Sequence, residues 1–287
     1  MCFKRVTNVS CVSVKEKAMG VSSRTDLKTK KFYVAVLAEY IGTLLLVLVS
    51  CGSIVQGVAD TQGSTLRIAL TFGFSVASVV WAIGNVSGGN INPGVSIAFF
   101  VTRRMSLVSF LFYVIAQVAG AITGAAILQA LVPSNYNGNL GTPTFDTNTF
   151  SVVQAFFVEF LIVFILVLVV FASCDERRVD VGGSVPLQIG VAIAMCHLWA
   201  VPLTGAGMNP ARAFGPAVIS NDIRGSHWVY WVGPLLGGML AGFVYEFLFA
   251  VNATAAKFRG FFTMDYDEKD YDAHGKRPKP EELPLKG

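Results

Sequence analysis

The sequence predicts an all-α membrane protein: six transmembrane helices plus two re-entrant half-helices, folded as an inverted 3+3 repeat. Three observations carry this. Apolar residues make up 53% of the 287 and charged ones only 14%, with mean hydropathy +0.59, whereas globular domains run about 25% charged. The charges that do occur leave residues 68–101, 105–145, 181–211 and 225–245 entirely bare. Two short apolar segments, each built on an Asn-Pro pair, recur at matching places in the two halves. Such a chain is neither disordered nor a disulfide-rich secreted scaffold, and it is unlike most soluble enzymes.

A helix rising about 1.5 Å per residue needs about 20 mostly apolar residues to cross about 30 Å of hydrocarbon. That rule places six spans, near residues 33–55, 66–84, 107–130, 150–172, 185–202 and 228–250. Glu39 and Glu159 are the lone charges in 32–55 and 147–172. Two apolar pieces, about 87–101 and 204–219, are too short to cross. In a bilayer they must be re-entrant and lie against protein, because lipid cannot satisfy their backbone.

The ends differ from the body. Residues 1–31 form a basic arm with no cleavable apolar core, so no signal peptide is read there. Residues 32–250 form the membrane body, with repeats of about 32–130 and 150–250, and 251–287 form a tail. With six spans, one side receives the basic arm, Arg103, Arg104, Arg177, Arg178 and the seven basic residues of the tail, and the other only Arg67 and Arg224. The positive-inside rule then puts both termini in the cytoplasm. The net charge of +4 is therefore a topological signal, with no nucleic-acid partner implied. The tail, rich in Asp and Glu, reads as a solvated, unstructured segment. Cys2 and Cys11 sit among basic residues, where palmitoylation or plain reduced thiols both fit; no disulfide is expected among the five cysteines. Sequons at Asn8, Asn85 and Asn252 fall on the cytoplasmic side or in the membrane and are expected to be unused.

The halves align. With Asn92 set on Asn209, an offset of 117, Tyr113 meets Tyr230 and Gly120 meets Gly237; AEYIGTLLLVLVS (38–50) resembles VEFLIVFILVLVV (158–170), matching Glu39 to Glu159. Three spans per half force the second half upside down, which brings the two interrupted segments together near the midplane. SGGNINPGVS (87–96) and TGAGMNPARAFGP (204–216) share one design: small residues, Asn as N-cap, Pro at the first helical position, then a short helix. Their positive N-terminal ends would meet at the centre. A lone Asn-Pro is an ordinary turn dipeptide; two at equivalent places inside uncharged sequence are a motif.

On these residues the chain resembles the aquaporins, the major intrinsic proteins, and their water-selective branch, over about residues 32–250. The family motif is Asn-Pro-Ala twice. Here the second copy is Asn209-Pro210-Ala211, while the first is Asn92-Pro93-Gly94. The missing methyl at Gly94 is expected to loosen packing between the half-helices, and Asn90 stands where most members carry His. The resemblance implies a homotetramer in the plasma membrane, with one pore per subunit and water as permeant.

It also implies a constriction at Phe72, His197, Ala206 and Arg212. Arg inside an apolar segment is costly by at least about 2.5–3.5 kcal/mol and belongs beside a wet path; the His or Phe alone would read as packing. Glycerol facilitators replace that His with a small residue and follow the Arg with Asp, where this chain has Ala213. Ala206 replaces a mercury-sensitive Cys of several members. The alternatives are a facilitator for glycerol, urea or another small neutral solute, or, on the same fold, a cation channel or junctional adhesion protein. Glu39 and Glu159 are expected to hold the re-entrant loops by accepting backbone N–H bonds. Ser106 in RRMS (103–106) fits a basic-directed kinase site. With three His and no nucleophile–base pair or metal-ligand cluster, the sequence implies no enzyme, no cofactor and no metal.

Overall fold

The computed structural model describes residues 26–55, 64–178, 180 and 182–263. Cys2, Cys11, Asn8 and most of the acidic tail lie outside them. Among the described residues six helices are long and apolar enough to span: α1 Lys30–Gly52, α2 Ser64–Ser87, α4 Leu107–Leu131, α5 Val152–Ser173, α6 Val185–Thr204 and α8 Val229–Val244, the last prolonged by a π turn over Tyr245–Phe249. Between them lie two half-helices, α3 Pro93–Val101 and α7 Pro210–Ile219. A short α9, Ala255–Phe262, follows the last span.

Local chemistry sets these ends. Thr29, Ser106 and Ser184 cap α1, α4 and α6 with their hydroxyls, and Ser151 forms a capping box with Gln154 at α5. Each half-helix starts with Asn as cap and Pro at its first position, where the absent N–H of Pro has no partner to lose. Helix α6 stops at Gly205, whose φ of 76° only a glycine adopts freely.

The spans pack in pairs dictated by the repeat: α1 on α4, α5 on α8, and α2 on α6 across the pseudo-two-fold axis. Small residues let them approach. A Cβ on Gly73 would stand 2.6 Å from the Gly190 carbonyl oxygen, and Gly190 meets Gly73 in the same way. Gly120 lies against the Tyr40 carbonyl and Gly237 against that of Phe160, the same contact in both halves. The outside is apolar, with Trp81 62% and Ile115 65% exposed, while Glu39, Gln117, Glu159 and Arg212 are wholly buried. That inside-out arrangement suits a lipid solvent.

One expectation needs correction. The stretch after the last span is not all solvated tail: α9 folds back and buries Lys257, whose ammonium donates to the Glu246 carboxylate, to its carbonyl and to Asn252 Oδ1 (2.8 Å). Burial gives the chain a reason to order there, since an enclosed ammonium must be partnered. At Gly94 a methyl would lie 3.1 Å from Val163 Cγ1 on α5 and 3.2 Å from both Asn92 Oδ1 and the Pro234 carbonyl oxygen on α8, so those neighbours leave it little room.

Candidate functional site: a pore along the repeat axis

The two carboxylates of the first span of each half organise the site. Glu39 accepts from the N–H groups of Asn90 (2.9 Å) and Ile91 (2.6 Å), the Ser87 hydroxyl (2.6 Å) and the Gln117 amide (2.8 Å). Glu159 accepts from the N–H groups of Gly207 (2.9 Å) and Met208 (2.7 Å) and the Thr204 hydroxyl (2.7 Å). Every shared donor sits at the 117-residue offset read in the sequence. The tyrosines repeat the pattern: Tyr113 donates to the Ser87 carbonyl and Tyr230 to that of Thr204. Loop backbone that lipid could not satisfy is thus met by protein.

These clamps hold Asn92 and Asn209 at the heads of α3 and α7. The Asn92 Oδ1 accepts from the Gly94 N–H (2.8 Å); the Asn209 Oδ1 accepts from those of Ala211 (3.0 Å) and Arg212 (3.2 Å). Each amide nitrogen then donates across the axis, Asn92 to the Met208 carbonyl (3.1 Å) and Asn209 to that of Ile91 (2.8 Å). One hydrogen of each amide ties the two halves together, which the sequence did not reveal. Each amide keeps a second hydrogen, and both asparagines line the same cavity.

Along the same cavity stand Phe72, His197 and Arg212. The Phe72 and His197 rings stack with centroids 4.2 Å apart, and the Arg212 guanidinium lies 5.0 Å from the Phe72 ring centre. Arg212 NH1 donates to the Gly141 carbonyl (2.9 Å), and His197 Nδ1 bonds the Ile193 carbonyl (2.9 Å). His197 Nε2 and Arg212 Nε and NH2 have no protein partner. Buried polar atoms without partners are rare, and here three lie on side chains that line the cavity.

Ala206 stands apart. It is fully buried, its backbone has a φ of 47°, and its neighbour Gly207 lines the cavity where it does not. Asn90 also lines the cavity, its amide donating to Ser96 Oγ (3.3 Å). Ser106 is a buried N-cap: it accepts from the Ser109 N–H (3.1 Å) and donates to the Asp26 carboxylate, so a kinase would first have to free it. Of the sequons, Asn252 is buried and accepts from Arg177 and Lys257.

Sequence reasoning missed two features. The first is the loop around 137–144, where Asn139 accepts the Gly141 N–H (3.2 Å) and donates to the Thr142 carbonyl (3.0 Å), aiming the Gly141 carbonyl at Arg212. The Asn and Gly residues of NGNLG (137–141) were the available signal. The second is a charged cluster at the side of the bundle that carries Arg103 and Arg104. Arg104 pairs with Glu246 at 2.5 Å and Arg177 with Asp175 at 2.6 Å, and Tyr245 donates to Asp175 at 3.0 Å. Burial opposes ionisation of Asp175, but the Arg177 guanidinium outweighs it and holds that carboxyl below the usual range. Glu246 ends a charge-free run, so it drew no attention.

A bundle of six spans that closes two capped half-helices around a line of polar groups has the architecture of a membrane pore. The family model described as Major intrinsic protein matches residues 26–245. Aquaporin-4 of Bos taurus is 46% identical over 224 residues, covering 77% of this chain and 69% of the relative. Aquaporin-5 of Homo sapiens is 41% identical over 241 residues, covering 84% and 90%. The chain belongs to the major intrinsic protein family. Among solved structures, the aquaglyceroporin from Plasmodium falciparum matches with a TM-score of 0.67 at 22% identity, covering 74% of this chain and 95% of that one, a likeness of fold.

Proposed function

We propose that the chain is a passive water channel that conducts single-file water and excludes ions and protons. In this reading it is a homotetramer in the plasma membrane, with both termini in the cytoplasm. The observation that carries the proposal is the ring in which Phe72 stacks on His197 beneath the Arg212 guanidinium. A ring with two large side chains and a fixed cation leaves room for water and little for a polyol. The similarity to aquaporin-4 and aquaporin-5, water pores by name, supports it.

Water entering the ring loses bulk partners and gains His197 Nε2 and the unpartnered nitrogens of Arg212. At the midplane it meets the remaining amide hydrogens of Asn92 and Asn209. Two donors acting on one oxygen turn both water hydrogens outward, which breaks a proton-conducting chain. Cations meet Arg212 and the positive ends of α3 and α7, the exclusion general to aquaporin-type pores. Glu39 and Glu159 act as positioning residues for the loops. Stopped-flow light scattering of proteoliposomes tests the reading. Rapid shrinkage in sucrose without re-swelling in glycerol is expected; re-swelling in glycerol would replace the water-selective reading with a solute facilitator.

A further inference from the structure

Helix α9 is built inside out for a helix in water. Lys257 is 0% exposed and Phe261 buried, whereas Ala255, Phe258, Arg259 and Phe262 point outward, with Phe258 48% and Phe262 62% exposed. These four, at i, i+3, i+4 and i+7, lie on one continuous face, with exposed Ala256 at its edge. The buried face is fixed. Lys257 reaches Glu246, Phe261 packs on Phe243 and Phe247, and Arg103 donates to the Phe261 carbonyl (2.9 Å) with its guanidinium 4.2 Å from that ring centre. The α9 orientation therefore does not depend on an absent partner, and its outward phenylalanines are held there by the fold.

The face also continues something already described. Leu236, Leu240, Leu248, Phe249 and Val251 form the exposed side of the last span and its exit, which lies in lipid once the six spans are embedded. Phe258 meets that span through Phe247, ring centres 5.4 Å apart. We propose that α9 is an in-plane membrane helix whose Phe258 and Phe262 enter the bilayer beside the last span, while Arg259 engages anionic phospholipid headgroups. Aromatic side chains on one face with a cation at its border are the marks of an interfacial helix, and the side concerned is the one rich in Arg and Lys, which anionic leaflets attract.

The test uses the full chain in nanodiscs of phosphatidylcholine with and without phosphatidylserine. Photoreactive benzoylphenylalanine in place of Phe262 should yield phospholipid adducts on irradiation, as the same group in place of Leu240 does. With serine lipid present, its adducts should exceed its share by about fivefold, the enrichment one basic side chain supplies at a membrane surface, and R259Q should remove that excess while leaving the adducts. Hydrogen exchange of the 255–263 amides in the unsubstituted protein should slow on adding phosphatidylserine, and F258S should abolish the slowing. Crosslinks to another part of the chain, absence of lipid adducts at 262 alongside adducts at 240, or exchange indifferent to lipid and to F258S would each overturn the proposal.

Discussion

Removing the Glu159 carboxylate strikes the structure where fold and pore meet. In Glu159→Ala, the Thr204 hydroxyl and the Gly207 and Met208 N–H groups lose their acceptor in a site closed to solvent. A buried donor left alone costs about 1–3 kcal/mol, which gives about 3–9 kcal/mol for three. Membrane proteins soften such losses, because the unfolded chain in lipid finds partners and measured pairs average about 0.6 kcal/mol; three then give about 2 kcal/mol as a floor. At roughly 2–4 °C per kcal/mol for a chain of this size, melting should fall by roughly 4–8 °C or more. Glu159→Gln keeps one acceptor oxygen and turns the other position into a donor facing donors, so it should fall between. Flux should drop as well, since the Met208 carbonyl receives the Asn92 amide and Asn209 and Arg212 follow in the chain. Thermal unfolding in detergent and stopped-flow flux read both effects. Melting within about 2 °C of wild type together with undiminished flux would refute the claim that this carboxylate builds the loop.

Other substitutions probe separate parts. His197→Ala combined with Arg212→Val opens the ring, and glycerol or urea re-swelling should appear in proteoliposomes; unchanged selectivity would place the constriction elsewhere. Gly237→Leu drives a side chain into the Phe160 carbonyl and should destabilise the α5–α8 contact by about 1–3 kcal/mol, read as a lowered melting temperature. Gly94→Ala gains helix propensity of about 0.5–1 kcal/mol but crowds Val163, Asn92 and Pro234, so melting and flux should both stay near wild type. The Asp175 carboxyl is depressed in the folded protein. Its contribution is full above the unfolded aspartate value of about 3.9 and is lost as pH falls through the lower folded value. Asp175→Asn should flatten that acid limb of the melting profile.

How much of this was legible depends on distance along the chain. Each span is announced by its own apolar run, and the predicted 107–130 and 185–202 are α4 Leu107–Leu131 and α6 Val185–Thr204. The half-helices are equally local, because Asn-Pro states both cap and first turn. The lone carboxylates Glu39 and Glu159 were conspicuous in apolar sequence, and their repeat placement pointed to the loops they hold. What stayed hidden joins distant segments. Nothing near Gly141 says that its carbonyl takes Arg212, and nothing in the Asn92 segment says that its amide takes the Met208 carbonyl. Lys257 looked like one more tail charge, since burial by Glu246 and Asn252 needs the chain to turn back on itself. Ala206 was placed by spacing alone, and it is Gly207, the next residue, that lines the cavity.

The central claim is a pore that passes water and stops protons, and both can be read in one preparation. Purified protein reconstituted at increasing copy number is challenged with an osmotic step and, separately, with a pH gradient followed by an entrapped dye. Osmotic permeability should rise in proportion to protein while gradient decay stays at the rate of empty vesicles. Water flux no greater than in empty vesicles, or proton decay that rises with copy number, would contradict the account.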